Sequence, residues 1–403
     1  MGDVVTLGAM GIGYLFLGAL ALALAAEGLL RAFTRVYEAL FVEKVSRKDY
    51  YDPGCHDYVD WLESWHKPIF NYLSIGFRLF NNDNPIPGRI RTNPLGYRCD
   101  PICEPKPDQL RIVVLGGSTA WGLGASSNEA TVAGQLEALL NKPGVLGKKW
   151  QSCKVYNLAQ CKATATQDML SLLFHGTRMK PHITITLGGW NELASCNMRT
   201  GLLRLFRAFY VVEQEGWEPP QVAGHLEKTL KQAMKGWLRS KSLLARRLIP
   251  AEMSAHQGAS ATVAQMRDQI SVGSEILFEH MDHMNRLGSA YGFKHFHFFQ
   301  PHLYSKKAIT PEEMRVMDLY DNVRPTYGGP AIGDHFRTAN IYDQIMAMCA
   351  DAGWKDCKAI DLSRIFAEDA GHIFFSIVHC TDDGYNKLAK SILQTLIDER
   401  ALS

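Results

Sequence analysis

Five short runs of apolar residues recur after residue 109, and stretches with helical spacing separate them. The runs are rich in branched and aromatic side chains and cover residues 112–115, 154–157, 183–187, 295–299 and 358–361. Runs of this length between helical stretches are typical of parallel strands that helices cover on both faces. The pattern therefore predicts an α/β domain over residues 109–403, built as three layers around one parallel sheet.

Apolar residues also dominate the N-terminus, where residues 4–26 carry no charged side chain. As a helix this segment would be about 34 Å long, which exceeds the ~30 Å hydrocarbon core of a bilayer. A cleaved signal peptide is the alternative, but basic residues should then precede the apolar run, and the only charged residue there is Asp3. We predict a retained single-pass transmembrane helix, which together with the amphipathic stretch behind it forms an anchor over residues 1–50.

Two further segments interrupt the alternation of strands and helices. Residues 51–108 are rich in proline, glycine, asparagine and aspartate, which predicts an irregular linker packed on the domain. Residues 201–270 separate the third and fourth predicted strands and predict a helical insertion. The polar side of its amphipathic helix is basic. We favour a helix packed on the sheet with that side in solvent; the alternative is a helix that lies on anionic lipid or over the site.

Composition narrows the classes of function. A net charge of +2 over 403 residues is too small to predict a nucleic-acid partner. The nine cysteines lack the paired spacing of a zinc site, so we expect mostly free thiols, with one or two disulfides left open. His295 and His297 share a face of a predicted strand, where packing or substrate contact is favoured over a metal site. We expect no metal and no cofactor.

A serine directly follows the first predicted strand. Gly116 and Gly117 let the chain turn sharply, and Ser118 then stands at the carboxyl end of the strand, where open α/β sheets place their sites. The glycine spacing matches neither a P-loop nor a dinucleotide-binding fingerprint. Alanine at position 120 excludes the Gly-x-Ser-x-Gly elbow of the α/β hydrolases. A capping serine in a plain strand-to-helix turn is the alternative interpretation.

Four stretches, in order along the chain, resemble the sequence blocks of the SGNH, or GDSL-like, hydrolases. They are Gly-Gly-Ser-Thr at 116–119, residues 157–167, Gly-Trp-Asn at 189–191, and residues 375–385 ahead of a helix predicted to start near Asn386. Residues 91–98 and 309–313 resemble stretches of the membrane-anchored bacterial members. The resemblance covers residues 88–400. It implies the SGNH fold, a flavodoxin-like three-layer parallel sheet.

The resemblance also implies a serine esterase that acts without a cofactor. Ser118 would be the nucleophile, and His379 would be the base that takes its proton. The backbone amides of Ser118 and Lys162, together with Gly189 and the side chain of Asn191, would bind the oxyanion of the intermediate. The substrate would be an ester of a glycan, a lipid or a small molecule.

Two positions depart from the pattern of this family. Lys162 stands where the second block has glycine, and Ser376 stands where the last block has the aspartate that orients the histidine. Asp382 and Asp383 are alternative candidates to support His379. Two functions are therefore weighed. We favour a membrane-anchored esterase over a catalytically inactive domain that serves as a structural or accessory subunit of a membrane assembly.

The side of the membrane that the domain faces is left open by two arguments that disagree. Basic residues follow the apolar segment rather than precede it, which by the positive-inside rule puts the domain on the cytoplasmic or matrix side. Anchored proteins that the chain resembles usually face the opposite side.

Overall fold

The computed structural model describes residues 88–161, 163–193, 263–323 and 330–402, with short pieces at 25, 27–29, 31–32, 47–51 and 56–57. The chain divides into two units, one formed by residues 46–197 and 260–403 and the other by residues 1–45 and 198–259. The first unit contains the sheet and the candidate site. Nearly all of the second unit lies outside the described residues, as does the predicted helical insertion over 201–270 up to residue 262.

One parallel sheet forms the centre of the first unit. Its strands are β1 (Gln109–Gly116), β2 (Ser152–Asn157), β3 (Ile183–Gly188), β4 (Lys294–Phe299) and β5 (Cys357–Asp361). They lie in the order β2-β1-β3-β4-β5, and every neighbouring pair is parallel. The five predicted strands and the parallel α/β fold are thus confirmed, and each strand extends beyond its predicted run.

Both faces of the sheet are buried, as alternating side chains of β1 demonstrate. Ile112 and Val114 belong to the larger apolar cluster, whereas Val113 and Leu115 belong to the smaller one. Successive residues of a strand point to opposite faces, so the two clusters lie on the two sides of the sheet. This arrangement explains why the strand sequences are continuously apolar rather than alternating.

Nine helices accompany the sheet in the described ranges. They are α1 (Ser118–Trp121), α2 (Val132–Leu140), α3 (Ala165–Phe174), α4 (Trp190–Leu193), α5 (Val263–Tyr291), α6 (Pro311–Asp318), α7 (Pro330–Thr338), α8 (Asp343–Ala350) and α9 (Asp382–Asp398). Shorter turns of helix lie at Arg47–Tyr50, Gly176–Met179, Leu303–Ser305 and Leu319–Val323. The last residues of the predicted insertion, 263–270, belong to the long helix α5.

Helix α9 begins four residues earlier than predicted. The hydroxyl of Thr381 accepts a hydrogen bond from the backbone N–H of Gly384, so Thr381 caps the helix and Asp382 is its first residue. The sequence pattern around Asn386 marks the first apolar turn rather than the cap. Asp382 and Asp383 therefore lie in the first helical turn, where negative charge is favourable.

The N-terminal predictions fall mostly on residues that the structure does not describe. Of the predicted anchor over 4–26, only residue 25 is described. No helix within the described residues is both long and apolar enough to cross a bilayer. The membrane anchor therefore stays a prediction.

The longest described part of the linker, residues 88–108, is irregular and is fixed to the domain by Arg98. The Arg98 side chain is buried and lies over the ring of Trp121 at 4.8 Å. Its guanidinium donates to the carbonyl oxygens of Gly122 at 2.7 Å and Ser127 at 3.0 Å, and to Asn128 Oδ1 at 3.1 Å. These acceptors belong to the loop that follows Ser118, so one side chain shapes that loop.

We predict that Arg98→Lys lowers the free energy of unfolding by about 3 kcal/mol, because a lysine lacks the planar fork and leaves buried carbonyls without donors. Urea unfolding measures the change. Arg91→Lys, in the same segment but exposed and paired with Glu129, is the matched control and should unfold like wild type. Equal stability of the two variants would contradict the role given to Arg98.

Candidate active site

Ser118 stands at the carboxyl end of β1, on a turn that only glycine permits. Gly116 has a φ of +132°, and a Cβ there would lie 2.1 Å from the carbonyl oxygen of Leu187 on β3. The close approach of the two strands therefore requires glycine. Ser118 then begins the short helix α1 and is half-buried, so that its hydroxyl can still be reached from solvent.

Asn191 reaches the same turn from the end of β3. A Cβ on Gly117 would lie 2.6 Å from Asn191 Nδ2, so the second glycine makes room for this amide beside Ser118. Asn191 Nδ2 donates one hydrogen bond to the carbonyl oxygen of Ala163 at 2.7 Å. An amide nitrogen carries two protons, so the second remains for an oxyanion next to Ser118.

His379 approaches Ser118 from the loop before α9. Its Nε2 lies 2.6 Å from Ser118 Oγ, and its Nδ1 lies 2.5 Å from Ser376 Oγ. Ser376 is buried, whereas His379 is half-buried. The structure thus brings Ser118, His379 and Ser376 into one line of hydrogen bonds, with Asn191 beside the first of them.

The other candidate supports of His379 have different partners. Asp382 accepts hydrogen bonds from the backbone N–H of Ser126 at 2.8 Å and from its hydroxyl. Asp383 forms an ion pair with Lys387 at 2.8 Å. Both sets of partners follow from the early start of α9, which places Asp382 and Asp383 in the first turn of the helix.

The two other predicted oxyanion residues are Gly189 and Lys162, and the structure describes the first of them. Gly189 has a φ of +95°, and a Cβ there would lie 2.6 Å from the ring of Phe299. Its backbone N–H forms a hydrogen bond with the carboxyl group of Glu192, and its part in binding an oxyanion stays a prediction. Lys162 lies outside the described residues, so its role in binding an oxyanion stays a prediction.

Ser376 changes the electrostatics of the histidine. A hydroxyl can accept from Nδ1–H, which leaves Nε2 free to take the proton of Ser118, or it can donate to Nδ1, which places the proton on Nε2. The backbone N–H of His379 also donates to Ser376 Oγ, at 3.3 Å. Unlike a carboxylate, the neutral hydroxyl brings no negative charge that would stabilise a protonated imidazole.

Two buried acids that the sequence analysis did not single out hold the loops around the site. Asp168 Oδ1 accepts from the backbone N–H of Gly116 at 2.9 Å, and Glu192 Oε1 accepts from that of Ala165 at 2.7 Å. The first bond fixes the turn before Ser118. The second fixes the stretch whose Ala163 carbonyl orients Asn191. The one signal for Glu192 in the sequence is its position directly after Asn191.

Burial governs the protonation of both acids. It raises the pKa of Glu192 to about 7 and raises the pKa of Asp168 well above its usual range, with the nearby Glu192 adding to the second shift. Each carboxyl group also accepts a hydrogen bond from a backbone N–H. This bond lowers the pKa, but burial has the larger effect. Burial therefore favours the neutral form of both carboxyl groups.

The histidines of β4 are packed inside the domain. His295 Nδ1 lies 2.8 Å from the hydroxyl of Thr184. Burial lowers the pKa of His295 well below its usual value and that of His297 to about 3, so both rings are neutral. No group of three or more metal-ligating side chains occurs in the described ranges.

Comparisons with known proteins yield only distant similarities. Neither a scan of family models nor a search of curated proteins found a match. Among solved structures, an acetyl xylan esterase is 9% identical over 71% of this chain and 100% of its own, with a TM-score of 0.34.

Two further solved structures are similar to the same degree. A lipase/acylhydrolase from Enterococcus faecalis is 12% identical over 71% of this chain and 95% of its own, with a TM-score of 0.35. A GDSL-like lipase from Bacteroides thetaiotaomicron is 11% identical over 72% and 88%, with a TM-score of 0.33. All three are described as esterases or lipases. At these scores the similarities carry no argument, and the function rests on the geometry of the site.

We predict that Glu192 makes the protein less stable as the pH rises. The unfolded carboxyl ionises near its ordinary pKa of 4.5, whereas the buried one holds its proton to about 7. The protonated carboxyl of Glu192 therefore contributes its full share to the free energy of unfolding below pH 4.5. This contribution is lost as the pH rises through 7. Between pH 5 and 8, wild type should lose roughly 2–3 kcal/mol more than Glu192→Gln.

Urea unfolding at several pH values measures this difference. Glu275→Gln removes an exposed carboxyl on α5 and should retain the wild-type pH dependence. A Glu192→Gln profile parallel to that of wild type would show that Glu192 titrates normally.

Proposed function

We propose that this chain is a serine ester hydrolase of the SGNH type. The proposal rests on one observation, the 2.6 Å contact between Ser118 Oγ and His379 Nε2 at the carboxyl edge of a parallel sheet. This distance permits direct transfer of the hydroxyl proton to the imidazole. The Asn191 amide beside the same hydroxyl supplies the electrostatic part of acyl transfer.

The residues support a two-step reaction. Ser118 Oγ attacks the ester carbonyl and passes its proton to His379 Nε2, while Asn191 Nδ2 and the backbone N–H of Ser118 stabilise the tetrahedral oxyanion. The imidazolium then gives the proton to the departing alcohol, which leaves an acyl group on Ser118. In the second step His379 takes a proton from water while the water oxygen attacks the acyl carbonyl. The imidazolium then returns this proton to Ser118 Oγ as the acid leaves, which restores both residues.

The part proposed for Ser376 is to orient His379. Its hydroxyl fixes the ring through Nδ1, which preserves geometry, but it provides weaker stabilisation of the imidazolium than an aspartate. Loss of the acid in a serine hydrolase costs up to ~10⁴ in turnover. The proposed enzyme is therefore a slow one. The alternative function, a catalytically inactive domain, follows from the same absence of an aspartate at position 376. The experiments below distinguish the two.

The location and substrate belong to the proposal as well. We propose that residues 4–26 anchor the protein in a membrane as a single span, because this segment is uncharged and long enough to cross one. An ester of a glycan, a lipid or a small molecule at the membrane would then be the substrate. Other membrane-protein subunits are proposed partners.

We predict that a fluorophosphonate labels full-length wild type in detergent, and that the protein hydrolyses a short activated acyl ester. Ser118→Ala should abolish the labelling and reduce hydrolysis to the buffer rate, because the nucleophile is gone. Ser391→Ala, which removes a serine hydroxyl on α9, should behave like wild type. Absence of labelling and of hydrolysis in wild type would favour the inactive subunit.

We predict that Ser376→Asp raises kcat by roughly 10- to 100-fold, because a carboxylate at Nδ1 stabilises the imidazolium. Steady-state kinetics on the same ester measure the change. Asp383→Asn, whose partner is Lys387, should leave kcat at the wild-type value. If kcat instead falls in Ser376→Asp, the serine is the better partner of this histidine and the acid has not simply been lost.

A further inference from the structure

A fully buried ion pair lies beside the loop that carries His379. The Lys306 and Glu313 side chains are both 0% exposed, and Lys306 Nζ lies 2.5 Å from Glu313 Oε2. Lys306 comes after β4, and Glu313 lies in the first turn of α6. A buried pair of charges is costly to desolvate and is tolerated only where further hydrogen bonds satisfy both groups.

Those further hydrogen bonds go to the loop before His379. Glu313 Oε1 accepts from the backbone N–H groups of Ile373 and Phe374, both at 3.0 Å. Lys306 Nζ donates to the carbonyl oxygen of Gly371 at 2.5 Å. The pair thus holds three backbone groups within residues 371–374 by charge-assisted hydrogen bonds, which are stronger than neutral ones.

The segment that this pair holds is the base of a tight loop. Phe374 and Cys380 form an antiparallel bridge, and the backbone N–H of Phe375 donates to the carbonyl oxygen of His379 at 2.8 Å. Ser376 and His379 lie within this loop. A shift of residues 373–374 therefore moves the imidazole and its Ser376 partner together.

We propose that Lys306 and Glu313 are positioning residues for His379, and this inference rests on the proposed function. Ser376 gives the imidazole a hydrogen bond but no charge. The position of the His379 ring therefore depends on how firmly the backbone of its loop is held. The buried pair supplies that constraint through its hydrogen bonds to Gly371, Ile373 and Phe374. Neither residue touches Ser118, and neither takes part in proton transfer.

The paired variant Lys306→Met/Glu313→Gln in the full chain tests the proposal. Removal of both charges together avoids an unpaired buried charge, which alone would unfold the region. Hydrolysis of a short activated ester should show kcat lowered roughly 10- to 100-fold with KM within about twofold of wild type, because a displacement near 1 Å suffices for such a loss.

A destabilised control separates positioning from stability. Leu140→Ala creates a cavity in α2, whose Leu140 side chain is fully buried. It should lower the melting temperature at least as much as the paired variant does while kcat stays at the wild-type value. A similar loss of kcat in Leu140→Ala, or an unchanged kcat in the paired variant, overturns the proposal.

A spectroscopic measurement distinguishes failure of this inference from failure of the proposed function. In ¹⁵N-histidine-labelled protein, comparison with His379→Gln assigns the Nδ1 and Nε2 resonances of His379. The paired variant should shift these resonances and change their pH titration, whereas Leu140→Ala should not. If wild type hydrolyses no ester, the proposed function fails, and unchanged His379 resonances in the paired variant would overturn the positioning role on their own.

Discussion

The hydrogen bond between Ser118 and His379 joins residues that are 261 positions apart in the sequence. Neighbouring hydrogen bonds between the same two segments hold them close enough for it to form. The Thr119 hydroxyl donates to the carbonyl oxygen of Val378 at 2.9 Å, next to this hydrogen bond. Further along both segments, the Tyr385 hydroxyl donates to the carbonyl oxygen of Leu123 at 2.7 Å. These repeated cross-links hold the two distant segments together, as a hydrogen bond between Ser118 and His379 requires.

The sequence predicted the sheet well because strands that are buried on both faces leave continuous apolar runs. It also predicted the meeting of Ser118 and His379, but only through the resemblance in ordered blocks, since fourteen histidines offered no other distinction. Asp382 and Asp383 were weighed as supports of His379 because they are acidic and close in sequence. The cap at Thr381 directs them elsewhere, and a cap can be located only to within a few residues from sequence.

The buried acids were beyond sequence reasoning for a physical reason. An aspartate in the first turn of a helix, such as Asp168, is ordinarily a solvated partner of the helix dipole. Only the structure reveals that the carboxyls of Asp168 and Glu192 are enclosed and bonded to backbone amides. Glu313 is a related case, because its capping box with Thr310 is visible in the sequence while its bonds to Ile373 and Phe374 are not.

The buried guanidinium of Arg98 bears on where the independently folding unit begins. The sheet starts at Gln109, so a boundary drawn from strands and helices would place the preceding residues in a tether. Yet these residues supply the donors for carbonyl groups of the loop that follows Ser118, and they contribute the buried side chains of Ile90 and Tyr97 to the interior. A fragment that is meant to fold on its own must therefore include residues from 88 onward. Evolutionary transfer of this domain into another protein would have to carry the same segment with it.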